Sequence, residues 1–288
     1  PAPSSLVNEY VTRGTAFSYL AIPQWTRPEM ISNGTFESSS SGWSAVGSCT
    51  LQRALFYGRS GLFSLYISNR ANVNSVAAHT LTAGNQALLL NGNSYSITLP
   101  IATSNNCTAQ VALTVTSTGS GTQVFSTPMT GVFSGNWTGV GGTLTPSWSG
   151  TLTQATVAII TSNTTDYLLD DATMTDVTYP KNSYVITRQL ISPTSNPYGS
   201  TNSSGIYVIN CSGKDVIIAD SRIVGTLVLR SPGSGTSIER SVNWEPAIYN
   251  YPAIVAEDAI SIELNSTGLS ETTVGLNLNP ASAPFPFI

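Results

Sequence analysis

Glu37, Asp170 and Asp171 are the acids whose placement most suggests chemistry. They lie on either side of residues 38–165, which contain no Asp or Glu, and the first lysine of the chain is Lys181. Glycosidic hydrolysis uses two carboxylates flanking the bond, and Glu37 with Asp170 or Asp171 is the pairing this part of the chain offers. His79 is the sole histidine. A Ser-His-acid triad would have to use it, far in sequence from any acid and with no nucleophile-elbow motif. Its setting, Val76-Ala77-Ala78-His79-Thr80-Leu81, reads as a strand. Glu257, Asp258 and Glu263 read as turn and surface acids, and Asp215 and Asp220 flank a strand as turn residues do. Glycine motifs that cradle phosphate are missing. These side chains point to a protein that is not an enzyme.

The composition narrows the partners. Charged residues make up 9% of the chain and the net charge is −4. Nucleic acid is excluded as a partner, because phosphate binding needs clustered Lys and Arg. No apolar run approaches the roughly 20 residues of a membrane span. The Ser- and Thr-rich, charge-poor surface and the leaderless Pro1 start predict a mature secreted or cell-surface protein. Cys49 and Cys107 fall in one presumed domain and are the disulfide candidates. Cys211 is then a buried free thiol or an intermolecular partner, and no CxxC pair marks a zinc site. Seven glycosylation sequons occur, at Asn33, Asn106, Asn136, Asn163, Asn202, Asn210 and Asn265. Chance placement gives about as many, so they allow a glycoprotein without indicating one.

The elements that must position these residues are strands. Residues 1–28 form a lead-in, with helical spacing of Leu6, Val7, Tyr10 and Val11 and an extended Ala16–Ile22. Residues 29–178 show short strands broken by Gly, Ser and Asn, the pattern of a sandwich or jelly roll. Expected strands include Leu62–Ile67, Tyr95–Leu99, Ala109–Val115, Gln123–Phe125, Ala155–Ile160 and Tyr167–Asp171. Asn91-Gly92-Asn93-Ser94 reads as a hairpin turn. Beyond the linker Tyr179-Pro180-Lys181, apolar strands recur about every ten residues through 276. That predicts a small β-helix, with a second sandwich as the competing arrangement. Residues 277–288 form an extended Pro/Phe tail. The fold class is all-β, a jelly-roll β-sandwich followed by a small β-helix-like or second β domain.

Several ordered motifs resemble one family. Asn33-Gly34-Thr35-Phe36-Glu37, Ser41-Gly42-Trp43, Arg59-Ser60-Gly61-Leu62-Phe63-Ser64-Leu65, the Gly92–Thr98 segment and Tyr167-Leu168-Leu169-Asp170-Asp171-Ala172-Thr173-Met174 resemble the jelly-roll carbohydrate-binding modules of the family 4/9/22 type. The resemblance implies a structural calcium held by Glu37 and Asp171, since hard oxygens from the first and last strands would staple the domain. It also implies polysaccharide binding through exposed aromatics, for which Trp43, Tyr57 and Trp137 are the candidates, with Tyr66 and Trp148 also available. Residues 180–288 resemble bacterial surface proteins with β-helical repeats.

The terminal segments suggest self-association. Leu6, Val7, Tyr10 and Val11 at one end and Phe285 and Phe287 at the other suit an assembly segment that adds to a neighbour's sheet. Such heterologous contacts build an open homo-polymer. The expected function is a non-catalytic structural subunit of an extracellular filament or surface layer. The alternative is a carbohydrate-binding or adhesion protein that recognises polysaccharide.

Overall fold

The computed structural model describes residues 1–265 together with Glu271 and Leu278. The chain divides into two compact units. Arg27–Thr178 form one, and Pro1–Thr26 join the segment from Tyr179 onward to form the other. The first unit is therefore an insertion within the second.

The Arg27–Thr178 unit is a jelly-roll sandwich of antiparallel sheets. One sheet runs Thr138–Leu144, Tyr95–Thr103, Tyr167–Leu169, Phe63–Ser68, Thr50–Leu55, with Thr173–Asp176 also on Tyr95–Thr103. The other runs Trp43–Val46, Val76–Thr80, Leu152–Thr161, Cys107–Ser117, Gly121–Ser126, with Thr130–Val132 on Cys107–Ser117. Alternation explains the sandwich. Along Tyr95–Thr103, the residues Tyr95, Ile97, Leu99 and Ile101 are buried in the shared core, while Ser96, Thr98 and Ala102 are half-buried. Successive side chains of a strand point to opposite faces, so the polar set forms the outer surface. Asn91–Ser94 does turn, with Gly92 at φ 76°. It leads from the short helix Ala83–Ala87 into a strand, so it is not the expected hairpin.

The second unit is a parallel coil. One sheet orders Thr15–Ser18, Ile206–Asn210, Thr226–Arg230 and Ile254–Ala256; the other orders Tyr184–Thr187, Val216–Val224, Ser237–Glu245 and Ser261–Leu264, with Leu190–Ile191 beside Val216–Val224. Ile206 pairs with Thr226 and Ile217 with Ser237, 20 residues on in both cases (226 − 206, 237 − 217). The ten-residue recurrence in the sequence is thus half a coil, and alternate strands stack. Inward residues such as Tyr207, Ile209, Leu227 and Leu229 fill the interior. The outward face is buried too. Val7 and Tyr10 of the helix Ser4–Arg13 cover Ile206, Val208, Val228 and Val255. Trp25 packs with Tyr179, Val185, Ile217 and Ala219 over the other sheet. Two-sided burial gives the near-continuous apolar runs of this region.

Two expectations are corrected here. Val7 and Tyr10 are buried in their own chain, and Thr15–Ser18 pairs in parallel with Tyr207–Asn210. The N-terminal assembly segment, with Leu6 exposed and Val11 half-buried beside it, is spent on internal packing and cannot be donated to a neighbour without unfolding it. Phe285 and Phe287 lie outside the described residues. Cys49 and Cys107 are free thiols instead of a bridge. The Cys49 Sγ donates to the carbonyls of Val46 and Val76 (3.8 and 3.6 Å). Cys211 is a buried free thiol, and burial pushes its pKa up to about 12.

Candidate functional site

The motifs that bracket the acid-free stretch meet at one loop, residues 59–63. Glu37 Oε1 accepts the backbone N–H groups of Leu62 and Phe63 (2.9 and 2.8 Å). Asp170 is fully buried, and its Oδ2 accepts the N–H groups of Arg59 and Ser60 (2.7 and 3.2 Å). Asp171, in a left-handed conformation at φ 49°, accepts the Arg59 guanidinium at 2.9 Å and the Ser60 hydroxyl. Burial raises the Asp170 pKa, against the hydrogen bonds from Asp171, Ser60 and Arg59 that favour its ionised form. Gly34 and Ala172 complete the junction. The Ala172 N–H donates to the Gly34 carbonyl at 3.0 Å, and a Cβ on Gly34 would stand 2.1 Å from the Ala172 oxygen. The opening and closing motifs thus close the sandwich by direct hydrogen bonding.

This geometry bears on calcium. Glu37 and Asp171 supply hard oxygens of the right kind and grip the same loop. Among the described residues, no three His, Cys, Asp or Glu side chains gather closely enough to hold a metal. Calcium takes six to eight oxygens, so backbone carbonyls and water would have to complete its shell, and Arg59 already neutralises Asp171.

The aromatic residues separate into core and surface. Trp43 is 8% exposed, packed against Phe36 and His79 with ring centroids 5.5 and 5.1 Å away. Its role as a sugar platform is corrected: it opens the strand that pairs with His79 and points into the sandwich. Trp148 is likewise buried. Tyr57 is 62% exposed and Phe56 77%. Tyr57, Tyr66 and Trp137 line one open groove of about 420 Å³, floored by Ala102 and Leu168 and bounded by Asp166. A second hollow shares Tyr57, Tyr66 and Leu168 with the groove, and a third shares Ser104 and Asp166 and adds Asn105 and Asn163. These shared residues place the three hollows side by side, together termed the trough.

Strand register builds this trough. Gln52, Tyr66, Leu168 and Ala102 stand side by side across four strands. Thr138 pairs with Ile101, which brings Trp137 to the far end of the same row. With neighbouring strands about 4.8 Å apart, Tyr66 and Trp137 are separated by roughly 14 Å across three strand steps. Leu65 and Ile67, on either side of Tyr66, are buried, so alternation turns the tyrosine outward. That alternation was the available signal for Tyr66. Asp166 had only its position at the end of the acid-free stretch. The Tyr66 hydroxyl donates to Asp166 Oδ2 at 2.9 Å, and that hydrogen bond, with burial, raises the phenol pKa.

Residues 28–166 match the family model described as a carbohydrate binding domain. The jelly roll is a carbohydrate-binding module. Among solved structures, the module is similar to the C-terminal family 22 carbohydrate binding module of Clostridium thermocellum Xyn10B. The identity is 21% and the TM-score 0.44, over 51% of this chain and 94% of that one. It is also similar to the CBM22-1 xylan-binding domain of Paenibacillus barcinonensis Xyn10C, at 14% identity and TM-score 0.47, over 55% of this chain and 100% of that one. No curated protein matches the chain.

The sequons divide by exposure, with Asn33, Asn163 and Asn202 half-buried. The Asn33, Asn163 and Asn202 amides donate to Ser41, Asn106 and Arg13 carbonyls, so a glycan would cost those bonds. Asn106, Asn136, Asn210 and Asn265 are exposed. Among the described residues no helix is long and apolar enough to cross a membrane.

Proposed function

We propose that the carbohydrate-binding module binds a polysaccharide chain in the trough lined by Tyr57, Tyr66 and Trp137, as a non-catalytic binding or adhesion protein acting outside the cell. The observation that carries this reading is the row of outward aromatics with an apolar floor and a polar end. Pyranose rings present apolar faces that stack on aromatic rings, while their hydroxyls need donors and acceptors such as Asp166, Ser104 and Asn105. The length of the row suits several consecutive sugars. Soluble oligosaccharides titrated calorimetrically into the full chain, beside Tyr66→Ala and Trp137→Ala variants, test the reading. Binding that both variants lose supports it; binding that neither changes would sink it. The subunit-of-a-filament reading loses its donor strand and has no observation of its own.

A structural calcium at Glu37 and Asp171 is a separate proposal. The convergence of both carboxylates on the 59–63 loop supports it, and an ion there would compete with Arg59 for Asp171. It predicts a melting temperature raised by millimolar calcium and lowered by chelator. Identical melting in both would assign the ion's place to Arg59.

A further inference from the structure

We propose that the trough selects its glycan by charge, taking an amino-bearing chain most tightly, a neutral chain next and a carboxylated chain least, with Asp166 as the selecting group. This rests on the polysaccharide reading above and adds the chemical class of the ligand.

Asp166 is the one charged side chain that lines any of the three hollows. Its Oδ2 takes the Tyr66 hydroxyl, and among the described residues no partner holds its Oδ1. No cation offsets it in the trough. The module contains no lysine, and none of its four arginines lines the hollows. Arg70 is buried, with its guanidinium on the carbonyls of Ser75, Val73 and Thr165. Arg53 donates to the Phe36 and Glu37 carbonyls, and Arg59 pairs with Asp171. With four arginines against Glu29, Glu37, Asp166, Asp170, Asp171 and Asp176, the module carries a formal charge of −2 (4 − 6). A uronate or sulfate in the trough would meet a carboxylate with no compensating donor of positive charge, whereas an ammonium would find a half-buried acceptor. A cleft lined by one sign of charge favours the opposite sign in its ligand.

The test uses one backbone geometry in three charge states. Hexamers of β-1,4-linked glucose, its 2-amino counterpart and its C6-carboxylate counterpart are titrated into the full chain at low and high salt. The expected order is amino, neutral, carboxylate, with successive members separated by about 2–5-fold, as a part-exposed charge contact gives. The spread narrows at high salt. Asp166→Asn, with melting unchanged, should compress the spread to within about twofold, while Tyr66→Phe, which keeps the charge, should preserve it. Carboxylated and neutral hexamers bound equally well, or a spread that survives in Asp166→Asn, would overturn the inference and leave the polysaccharide reading standing. Xylohexaose and a glucuronate-decorated xylo-oligosaccharide serve as a second series. Failure of both series to bind at all would overturn the polysaccharide reading and this inference together.

Discussion

In the jelly roll, the strand Tyr95–Thr103 sends every second residue to the core and leaves Ser96, Thr98 and Ala102 toward the surface; in the parallel coil, all nine residues of Val216–Val224 are buried. The same strand geometry therefore has two outcomes. A sheet covered on one side keeps a face on which Tyr66 and Trp137 can be displayed. A sheet covered on both sides has no such face, and even its charges turn inward. Arg222 and Glu271 form an ion pair at 2.7 Å with side-chain exposures of 2% and 0%. The difference teaches that the outward aromatics of the proposed site depend on a sheet covered on one side, while the buried Arg222–Glu271 pair ties the coil to itself.

The largest test of that contrast is Arg222→Met, which strands the Glu271 carboxylate inside the coil. Removing one partner of a buried pair costs about 3–5 kcal/mol. Denaturant unfolding should show that loss, with oligosaccharide affinity unaltered; a fall in affinity would break the division of labour. Next comes Trp137→Ala. It should weaken glycan binding by about tenfold or more, while a side chain on the open face changes stability by only about 0.5 kcal/mol. Calorimetric titration and thermal melting of the same variant read both quantities.

A smaller effect sits in the module's core. His79 is fully buried with no well-formed hydrogen bond on either ring nitrogen, and burial lowers its pKa below 6.5 against the opposing influence of the Gly42 backbone. The unfolded chain then binds a proton more readily than the folded one. His79's contribution is present in full above pH 6.5 and is lost as pH falls through the lowered folded value. Melting followed from pH 7.5 to 5 should decline for the wild type, and His79→Gln should flatten that part of the curve. The smallest effect is expected at the exposed Arg13–Glu9 pair, 3.2 Å apart on the N-terminal helix. Glu9→Ala should cost no more than about 0.5 kcal/mol, roughly a tenth to a sixth of the buried pair's effect. Comparable losses at the two pairs would undo the contrast between them.

Local patterns carried much of this into the sequence. Tyr95–Leu99 alternates apolar and polar residues cleanly and forms a strand, and the apolar Tyr167-Leu168-Leu169 forms one too. Gly34 in the opening motif has a steric reason, the close approach of Ala172. What stayed hidden depends on remote pairing. An isolated Trp43 does not reveal its face; its burial depends on Phe36 and on His79 from the neighbouring strand. The trough required the register of Phe63–Ser68, Tyr167–Leu169 and Tyr95–Thr103 to bring Tyr66, Leu168 and Ala102 into one row. Helical spacing identified the N-terminal helix, yet nothing nearby in sequence names Val208 or Val228 as its partners.

The insertion of the module has a consequence for how the chain is made. Thr15 pairs with Tyr207, 192 residues later (207 − 15), and Trp25 donates to the Ser183 carbonyl across the junction at 2.8 Å. During synthesis the first 26 residues must wait, with Val7, Tyr10 and Phe17 uncovered, until the second half of the coil emerges. The module's own contacts are complete by Thr178. Domains emerging first fold first, so the module closes as a finished knot of structure before its host can form. It then holds residues 26 and 179 as the ends of an already compact body instead of a floppy 152-residue loop (178 − 26). Because the entropy of closing a loop grows with its free length, early folding of the inserted module shortens the search by which the two halves of the coil find each other.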